Sequence, residues 1–345
     1  MRMTQKPNDK SRGGRGGKSE APSAPNFLRR HPKWTAAALL AGAGLLGSAI
    51  FNRAAARRAE ARTPPAGKFI HVDGTKLHFL ERGEGQPVVL LHGNGVLLQD
   101  FEASGVLDLI ANKHRVIAFD RPGFGYSDRP QSTIWTPSAQ ADLIARAMSQ
   151  MGVRGAVVVG HSWGTLVALA MALDHPDAVA GLVLLSGYYY GTARPDVLPL
   201  SAPAIPLIGD VMAHTISPLA GALMGPAAVK AAFAPAEVAQ RFVDFPIAIT
   251  LRPSQVRATA ADTAMMVPSA VALSRRYRDL GVPTIILAGE GDLIVGVEKH
   301  SKRLAGEVEG SELRVLAEQG HLFHYAEPSH VATAVDDVLE RVGSS

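Results

Sequence analysis

Short apolar runs alternate with helix-length segments along most of this 345-residue chain. Each run has four or five residues and almost no charge, which is typical of a strand buried on both faces in a parallel sheet. The alternation therefore predicts an α/β sheet with helices on both faces. The predicted strands are Val88–Leu91, Arg115–Phe119, Ala156–Val159, Leu182–Leu185, Thr284–Leu287 and Leu313–Leu316, and the predicted helices are Ser138–Met151, Trp163–Leu173, Glu298–Gly306 and Ser329–Val342.

A predicted hairpin precedes these strands. The segments KFIHV at 68–72 and KLHFLE at 76–81 flank Asp73-Gly74, a dipeptide that favours a tight turn between antiparallel strands. The sheet is thus expected to have eight strands, with the hairpin as its antiparallel part. The folded domain is expected to span residues 68–345.

One long segment interrupts the alternation. Residues 188–281, about 94 residues of Pro- and Ala-rich helical pattern, separate the strand ending at Leu185 from the strand starting at Thr284. Insertions at the carboxyl ends of parallel strands lie over binding sites. We expect this insertion to form a helical lid, whose larger apolar side chains form mainly its own core. These side chains are Met224, Phe233, Phe242, Phe245, Met265 and Met266.

The most specific motif is Gly160-His161-Ser162-Trp163-Gly164, because it lies between a predicted strand and a predicted helix. Glycines at both ends allow a strand to turn abruptly into a helix, so that the serine hydroxyl projects from the edge of the sheet. The helix N-terminus behind the turn favours negative charge on a reacting oxygen. Ser162 is therefore the predicted nucleophile.

A serine hydroxyl needs a base beside it and an acid that orients the base. His321 follows the last predicted strand and a short loop, and we expect it to be the base. For the acid, the Gly-rich loop after Thr284–Leu287 offers Asp292 and Glu290. Asp292 is preferred because it lies past the turn and can reach the loop that bears His321, while Glu290 is the reserve candidate.

Metal and cofactor chemistry have little support in the sequence. His321 and His324 form an H-x-x-H pair, but no spacing specifies a third ligand. The chain has no cysteine, which excludes disulfides, thiolate zinc sites and cysteine nucleophiles. We expect neither a metal nor a cofactor.

In chain order, Ser162, Asp292 and His321 resemble the α/β-hydrolases, specifically the fold-1 branch of that superfamily. The resemblance covers about residues 69–342. Besides the serine motif and the Asp292 and His321 loops, it includes LHGNG at 91–95 and DRPGFGYS at 120–127.

The resemblance implies further roles. The backbone N–H groups of Asn94 and Trp163 would form the oxyanion hole. Ser127 and His92 would be structural, and the side chain of His161 would point away from the reacting atoms. Serine at the motif, where dehalogenases and epoxide hydrolases of this fold have aspartate, favours acyl transfer.

These residues favour a carboxylic ester hydrolase that acts on a small or apolar acyl substrate through an acyl-enzyme. The alternatives are a carbon–carbon bond hydrolase, a perhydrolase or an aminopeptidase with the same triad, and a non-catalytic binding protein of this fold. The substrate and the oligomeric state are not specified by the sequence.

The net charge of +4 is an average over two unlike parts. Residues 1–68 carry 14 Lys/Arg and 3 Asp/Glu, whereas the other 277 residues carry 21 Lys/Arg and 28 Asp/Glu. A nucleic-acid interface would need a basic face on the folded domain, and this domain is acidic. We therefore expect no nucleic-acid partner.

The basic part has three segments. Residues 1–33 are rich in Gly, Arg, Ser and Pro and are predicted to be disordered. Residues 34–51 form an uncharged run of eighteen residues, about 27 Å as a helix, with basic residues on both sides. Residues 52–67 read as a basic linker that ends at Pro64-Pro65.

The uncharged run is predicted to be a single-pass membrane anchor, with an export signal or a buried helix as alternatives. The larger positive charge of residues 1–33 favours an inside N-terminus and an outside catalytic domain, as at a bacterial-type inner membrane. An exported or cytoplasmic protein is the alternative localisation.

Overall fold

The structure is a computed structural model that describes residues 32–344. The predicted disordered tail, residues 1–33, lies almost wholly outside the described residues. Contacts divide the described chain into two compact units, residues 32–47 and residues 48–344. Helix α1 (Pro32–Arg62) contains both the uncharged run and most of the predicted basic linker.

The larger unit contains one eight-stranded sheet. Its strands are β1 (Lys68–Val72), β2 (Thr75–Arg82), β3 (Pro87–Leu91), β4 (Arg115–Phe119), β5 (Ala156–His161), β6 (Val179–Leu185), β7 (Thr284–Gly289) and β8 (Glu312–Leu316). Their order in the sheet is β1-β2-β4-β3-β5-β6-β7-β8. Strands β1 and β2 form an antiparallel hairpin, β2 is antiparallel to β4, and the remaining neighbours are parallel. This arrangement confirms the predicted mostly parallel α/β fold.

Helices cover both faces of the sheet because alternate strand side chains point to opposite sides. The helices outside the insertion are α2 (Gln99–Ala103), α3 (Val106–Ala111), α4 (Pro137–Gln150), α5 (Gly164–Asp174), α11 (Arg303–Glu307), α12 (Phe323–Ala326) and α13 (Pro328–Ser344). Val89 packs with α4 and α5 residues such as Leu166 on one face, whereas Val88 packs with α3 and α13 residues such as Val335 on the other.

The chain between β6 and β7 is helical. Its helices are α6 (Val197–Ser201), α7 (Ile208–His214), α8 (Ile216–Phe233), α9 (Ile247–Thr250) and α10 (Pro253–Ser274). Phe233, Phe242 and Phe245 are buried together with Tyr325, whereas Met224 is exposed.

The second half of α1 packs on this insertion. Ser48 Oγ and Asn52 Nδ2 both donate to the Thr215 carbonyl, at 2.7 Å each, and Ala59 is buried. Glu60 pairs with Arg252 at 3.1 Å. Residues 48–62 therefore pack with the domain that was expected to begin at Lys68.

Candidate active site

Ser162 lies at the abrupt turn between β5 and α5. Its φ is 51°, in the left-handed region that costs energy for a residue with a side chain. The turn packs so closely against β3 that a Cβ on Gly164 would lie 2.2 Å from the Leu91 carbonyl oxygen. The local geometry is therefore that of a nucleophile elbow, with Ser162 half-buried at the carboxyl edge of the sheet.

His321 and Asp292 meet at the same edge. His321 Nδ1 lies 2.8 Å from Asp292 Oδ2, and both residues are buried. Asp292 Oδ1 accepts hydrogen bonds from the backbone N–H groups of Ile294 at 2.8 Å and Val295 at 2.9 Å. Glu290, the reserve candidate, is exposed.

Burial alone would raise the pKa of the Asp292 carboxyl. The charge of His321, its hydrogen bond and the two backbone N–H groups outweigh burial, so that the pKa of Asp292 lies below its ordinary value. Asp292 is therefore a carboxylate at neutral pH and fixes Nδ1 of His321 as the protonated nitrogen. Nε2 is left free to accept a proton.

His161, the residue directly before Ser162, has its ring centroid 5.1 Å from that of His321. Within residues 32–344, the Ser162 hydroxyl has no hydrogen bond to His321. Such bonds are often long in the absence of substrate and shorten when substrate binds.

Two backbone donors near Ser162 are free. In the part of the chain that the structure describes, neither the N–H of Asn94 nor the N–H of Trp163 donates to a protein acceptor. Trp163 directly follows Ser162, and a Cβ on Gly93 would lie 3.2 Å from the Ser162 Cβ. The geometry therefore provides two candidate donors for an oxyanion beside the serine.

A buried ion pair holds the loop that bears Asn94. The guanidinium of Arg121, wholly buried, donates to the carbonyls of His92 at 2.8 Å and Gly93 at 2.9 Å. It also contacts Asp262 of α10 at 2.6 Å. The insertion thus fixes the backbone directly before Asn94.

The Asn94 side chain makes a second link to α10. Its Nδ2 donates to the Thr259 carbonyl at 3.1 Å and to Thr263 Oγ1 at 2.9 Å. The Trp163 indole N–H likewise donates to the Asp262 carbonyl at 3.0 Å. The sequence did not indicate these links, because each joins residues about 100 or more positions apart.

A second buried network lies behind His321 and was also missed. Asp100 accepts hydrogen bonds from His324 Nε2 at 3.2 Å and from the Tyr325 hydroxyl at 3.0 Å. His161 Nδ1 lies 3.5 Å from Asp100, and His161 Nε2 lies 3.3 Å from the His321 carbonyl oxygen. The side chain of His161 therefore supports the backbone of the histidine loop.

This network explains the H-x-x-H pair. His321 bonds to Asp292 whereas His324 bonds to Asp100, so the two histidines belong to different groups. The side-chain ligand atoms of Asp100, His161 and His324 lie within 4.8 Å of one another. Both oxygens of Asp100 accept hydrogen bonds, from His324 and Tyr325, whereas Nδ1 of His161 and Nδ1 of His324 are buried without a hydrogen-bond partner among the described residues.

The residues expected to be structural are tied into the loops below the site. Ser127 Oγ donates to the Asp120 carbonyl at 2.7 Å and accepts from the His78 N–H at 2.9 Å. His92 Nδ1 donates to the Gly93 carbonyl at 2.7 Å, and its Nε2 accepts from the Arg121 N–H at 3.0 Å.

A cleft of about 330 Å³ lies away from these residues, lined by Ser149, Asp174 and His175 among others. It is at the amino ends of β5 and β6, whereas Ser162, Asp292 and His321 are at the carboxyl ends. The cleft is therefore no part of the candidate site.

Known proteins share this fold and part of this sequence. The 2-hydroxymuconate semialdehyde hydrolase of Pseudomonas putida is 32% identical over 124 residues, which cover 36% of this chain and 44% of that protein. The chain spans less than half the length of the first curated relatives that it matches.

Two solved structures are similar over most of the chain. An N-acyl homoserine lactone degrading enzyme has a TM-score of 0.58 and 25% identity, covering 78% of this chain and 99% of its own. A thermophilic esterase from Thermogutta terrifontis has a TM-score of 0.62 and 23% identity, covering 80% of this chain and 99% of its own.

The family described as alpha/beta hydrolase fold matches residues 86–328, more than half of the chain. The matched residues include the serine elbow, the Asp292 loop and the His321 loop. The chain therefore belongs to the α/β-hydrolase fold family.

Proposed function

We propose that this hydrolase-fold chain is a serine hydrolase that cleaves carboxylic esters through an acyl-enzyme. The observation that carries the proposal is the hydrogen bond between His321 Nδ1 and Asp292 at the sheet edge where Ser162 occupies the strained elbow. Nucleophile, base and orienting acid are then Ser162, His321 and Asp292.

In the first step, His321 Nε2 takes the proton of the Ser162 hydroxyl as Oγ attacks the ester carbonyl carbon. The carbonyl oxygen becomes an oxyanion, which accepts from the free N–H groups of Asn94 and Trp163. The imidazolium then protonates the departing alkoxide, which leaves an ester between Ser162 and the acyl group. Water, deprotonated by the same Nε2, hydrolyses that ester, and the steps need no cofactor.

The elbow assists the charge that develops. Helix α5 begins at Gly164, two residues after the nucleophile, so that its positive N-terminal end faces the oxyanion. The carboxylate of Asp292 stabilises the imidazolium formed in each step.

A specific observation supports a second candidate, a carbon–carbon bond hydrolase. The similar Pseudomonas putida protein is named for the hydrolysis of 2-hydroxymuconate semialdehyde. The lactone-degrading enzyme and the esterase among the similar structures favour ester-type substrates. Steady-state rates on 2-hydroxymuconate semialdehyde and on nitrophenyl esters would distinguish the two.

We also propose that residues 34–51 anchor the protein in a membrane, with the catalytic domain on the outer side. Two helices of the described chain, Lys33–Arg62 and Ile216–Phe233, are long and apolar enough to cross a bilayer by length and composition. The basic residues on both sides of the first, Lys33 and Arg53 among them, fit a spanning segment.

A fluorophosphonate probe tests the nucleophile. The full chain should become covalently labelled, whereas Ser162→Ala should not, and Ser127→Ala should be labelled like the parent because Ser127 lies in a structural loop. Labelling of Ser162→Ala would refute the assignment. A parent chain that resists the probe and hydrolyses neither substrate would support a non-catalytic binding protein.

A further inference from the structure

The helical insertion has an extensive exposed apolar surface. Among the described residues, ten large apolar side chains between positions 198 and 224 are exposed to solvent. They are Leu198, Leu200, Ile205, Leu207, Ile208, Val211, Ile216, Leu219, Leu223 and Met224. Extended exposed apolar patches on a folded domain mark sites of interaction with a membrane, another protein or a ligand.

We call this surface the insertion face (residues 198–224), and four of its ten exposed side chains lie on helix α8. The helix is apolar on all sides, yet Pro218 and Phe233 are its only buried residues. A helix that is apolar all round is normally buried in a core or in a membrane. Neither environment is supplied by the described parts of the chain.

The insertion face is almost free of charge. Asp210 is the only Asp, Glu, Lys or Arg between residues 197 and 229. Its carboxylate forms an ion pair with Arg257 of α10. The face therefore offers no unpaired charge that would oppose contact with hydrocarbon.

The two ends of α8 are fastened to the domain. At the start, the Thr215 carbonyl accepts from Asn52 at 2.7 Å. At the end, Phe233 packs against Tyr325 with ring centroids 5.7 Å apart, and the Leu322 N–H donates to the Ala232 carbonyl at 3.1 Å. An 18-residue helix held at both ends on one domain lies along a surface rather than crossing a bilayer.

The contact at the start of α8 also indicates what covers the insertion face. Ser48 and Asn52, which hold the Thr215 carbonyl, are at the end of the uncharged run 34–51. Residues 48–52 and the first turn of α8 are therefore held together, so that a bilayer surface at residues 48–52 also meets α8. Arg53, Arg57 and Arg58 follow within two turns and are exposed, as expected beside anionic lipid headgroups.

We propose that the insertion face is a second membrane-binding surface, seated in the headgroup and upper acyl region of a phospholipid bilayer. Helices α6 to α8 lie in the interface plane. This membrane contact of the insertion face does not depend on the hydrolytic chemistry. It places the end of α8, which contacts the His321 loop, within reach of apolar acyl compounds dissolved in the membrane.

The cysteine-free chain allows a direct test. Single cysteines replace Leu198 and Leu223, which are both 83% exposed, so that the fold should tolerate the changes. Each carries an environment-sensitive fluorophore, and the full chain is reconstituted in vesicles of phosphatidylcholine and phosphatidylglycerol with or without nitroxide on the acyl chain. The matched control is Ser149→Cys at the exposed end of α4, at the opposite edge of the sheet, and Leu40→Cys reports on the anchor.

The fluorophores at 198 and 223 should lose about half of their emission or more to the nitroxide lipid, since an interfacial helix is buried to the depth of the upper acyl chains. The Ser149→Cys label should be unaffected. If the Leu40→Cys label alone is quenched, the chain is anchored and the insertion face is not membrane-bound. The proposal is also overturned if none of the labels is quenched. It is equally overturned if the fluorophores at 198 and 223 become shielded from solvent as the protein concentration rises but are not quenched, because contact with a second copy of the chain would give that result.

Discussion

The substitution Asp292→Asn tests the proposed triad with a single-atom change. In the structure, Oδ1 accepts from two backbone N–H groups at 2.8 and 2.9 Å, and Oδ2 faces His321 Nδ1 at 2.8 Å. An asparagine has one oxygen, and two N–H donors hold it on the backbone side. Its NH₂ group must then point at His321.

An NH₂ donor facing Nδ1 requires that Nδ1 carry no proton. His321 is then protonated at Nε2, the nitrogen that should take the proton of Ser162, and the imidazolium loses its counter-charge. The wrong tautomer costs about 10⁴ in kcat in enzymes with this arrangement. That factor corresponds to about 5 kcal/mol in the activation free energy.

Hydrolysis of a nitrophenyl ester by the purified full chain measures this effect. We expect kcat to fall by about 10³ to 10⁴ with KM little changed, because Asp292 orients the base and does not touch substrate. The matched control is Glu290→Gln in the same loop, which should retain parental kcat. A loss below about tenfold in Asp292→Asn, or an equal loss in Glu290→Gln, would refute the assignment of the acid.

Three further changes test the support of the site. Asp262→Asn leaves the buried Arg121 charge without its partner and should lower the free energy of unfolding by about 3 to 5 kcal/mol, measured by urea denaturation; a loss below 1 kcal/mol would contradict the role of the pair. Gly164→Ala should abolish soluble folded protein, since no side chain fits 2.2 Å from a backbone oxygen, whereas Gly225→Ala, with open space around it, should be tolerated. Burial lowers the pKa of His161 to about 4, so the unfolded chain binds the proton first as the pH falls. The midpoint temperature of thermal unfolding should therefore decrease as the pH is lowered from about 6.5 to about 4, and the decrease should be smaller in His161→Gln.

The fold was predictable because strand burial has a local signature. Six mainly apolar runs correspond to six mutually parallel strands, and the turn at Asp73-Gly74 corresponds to the hairpin. The last strand, β8, is less buried than expected, since it lies at the edge of the sheet and has one neighbour.

The contact of His321 with Asp292, and not with Glu290, could also be expected from the sequence, because reach depends on the distance past a turn. The contacts that support the site could not. Arg121 and Asp262 are 141 positions apart, and Asp100 and His324 are 224 apart. No local pattern specifies such partners, and single acidic residues such as Asp100 are ordinary in surface helices.

The two links between α10 and the loop that bears Asn94 have a consequence for engineering. Exchanging the insertion with that of a relative is an obvious way to alter acyl-chain preference. In this protein the donor segment can replace residues up to about 250, but α10 must be kept, because Asp262 and Thr263 hold the loop that bears Asn94. A chimera that replaces α10 would remove these contacts, so that a change in the proposed hydrolysis would combine a displaced Asn94 backbone with an altered insertion.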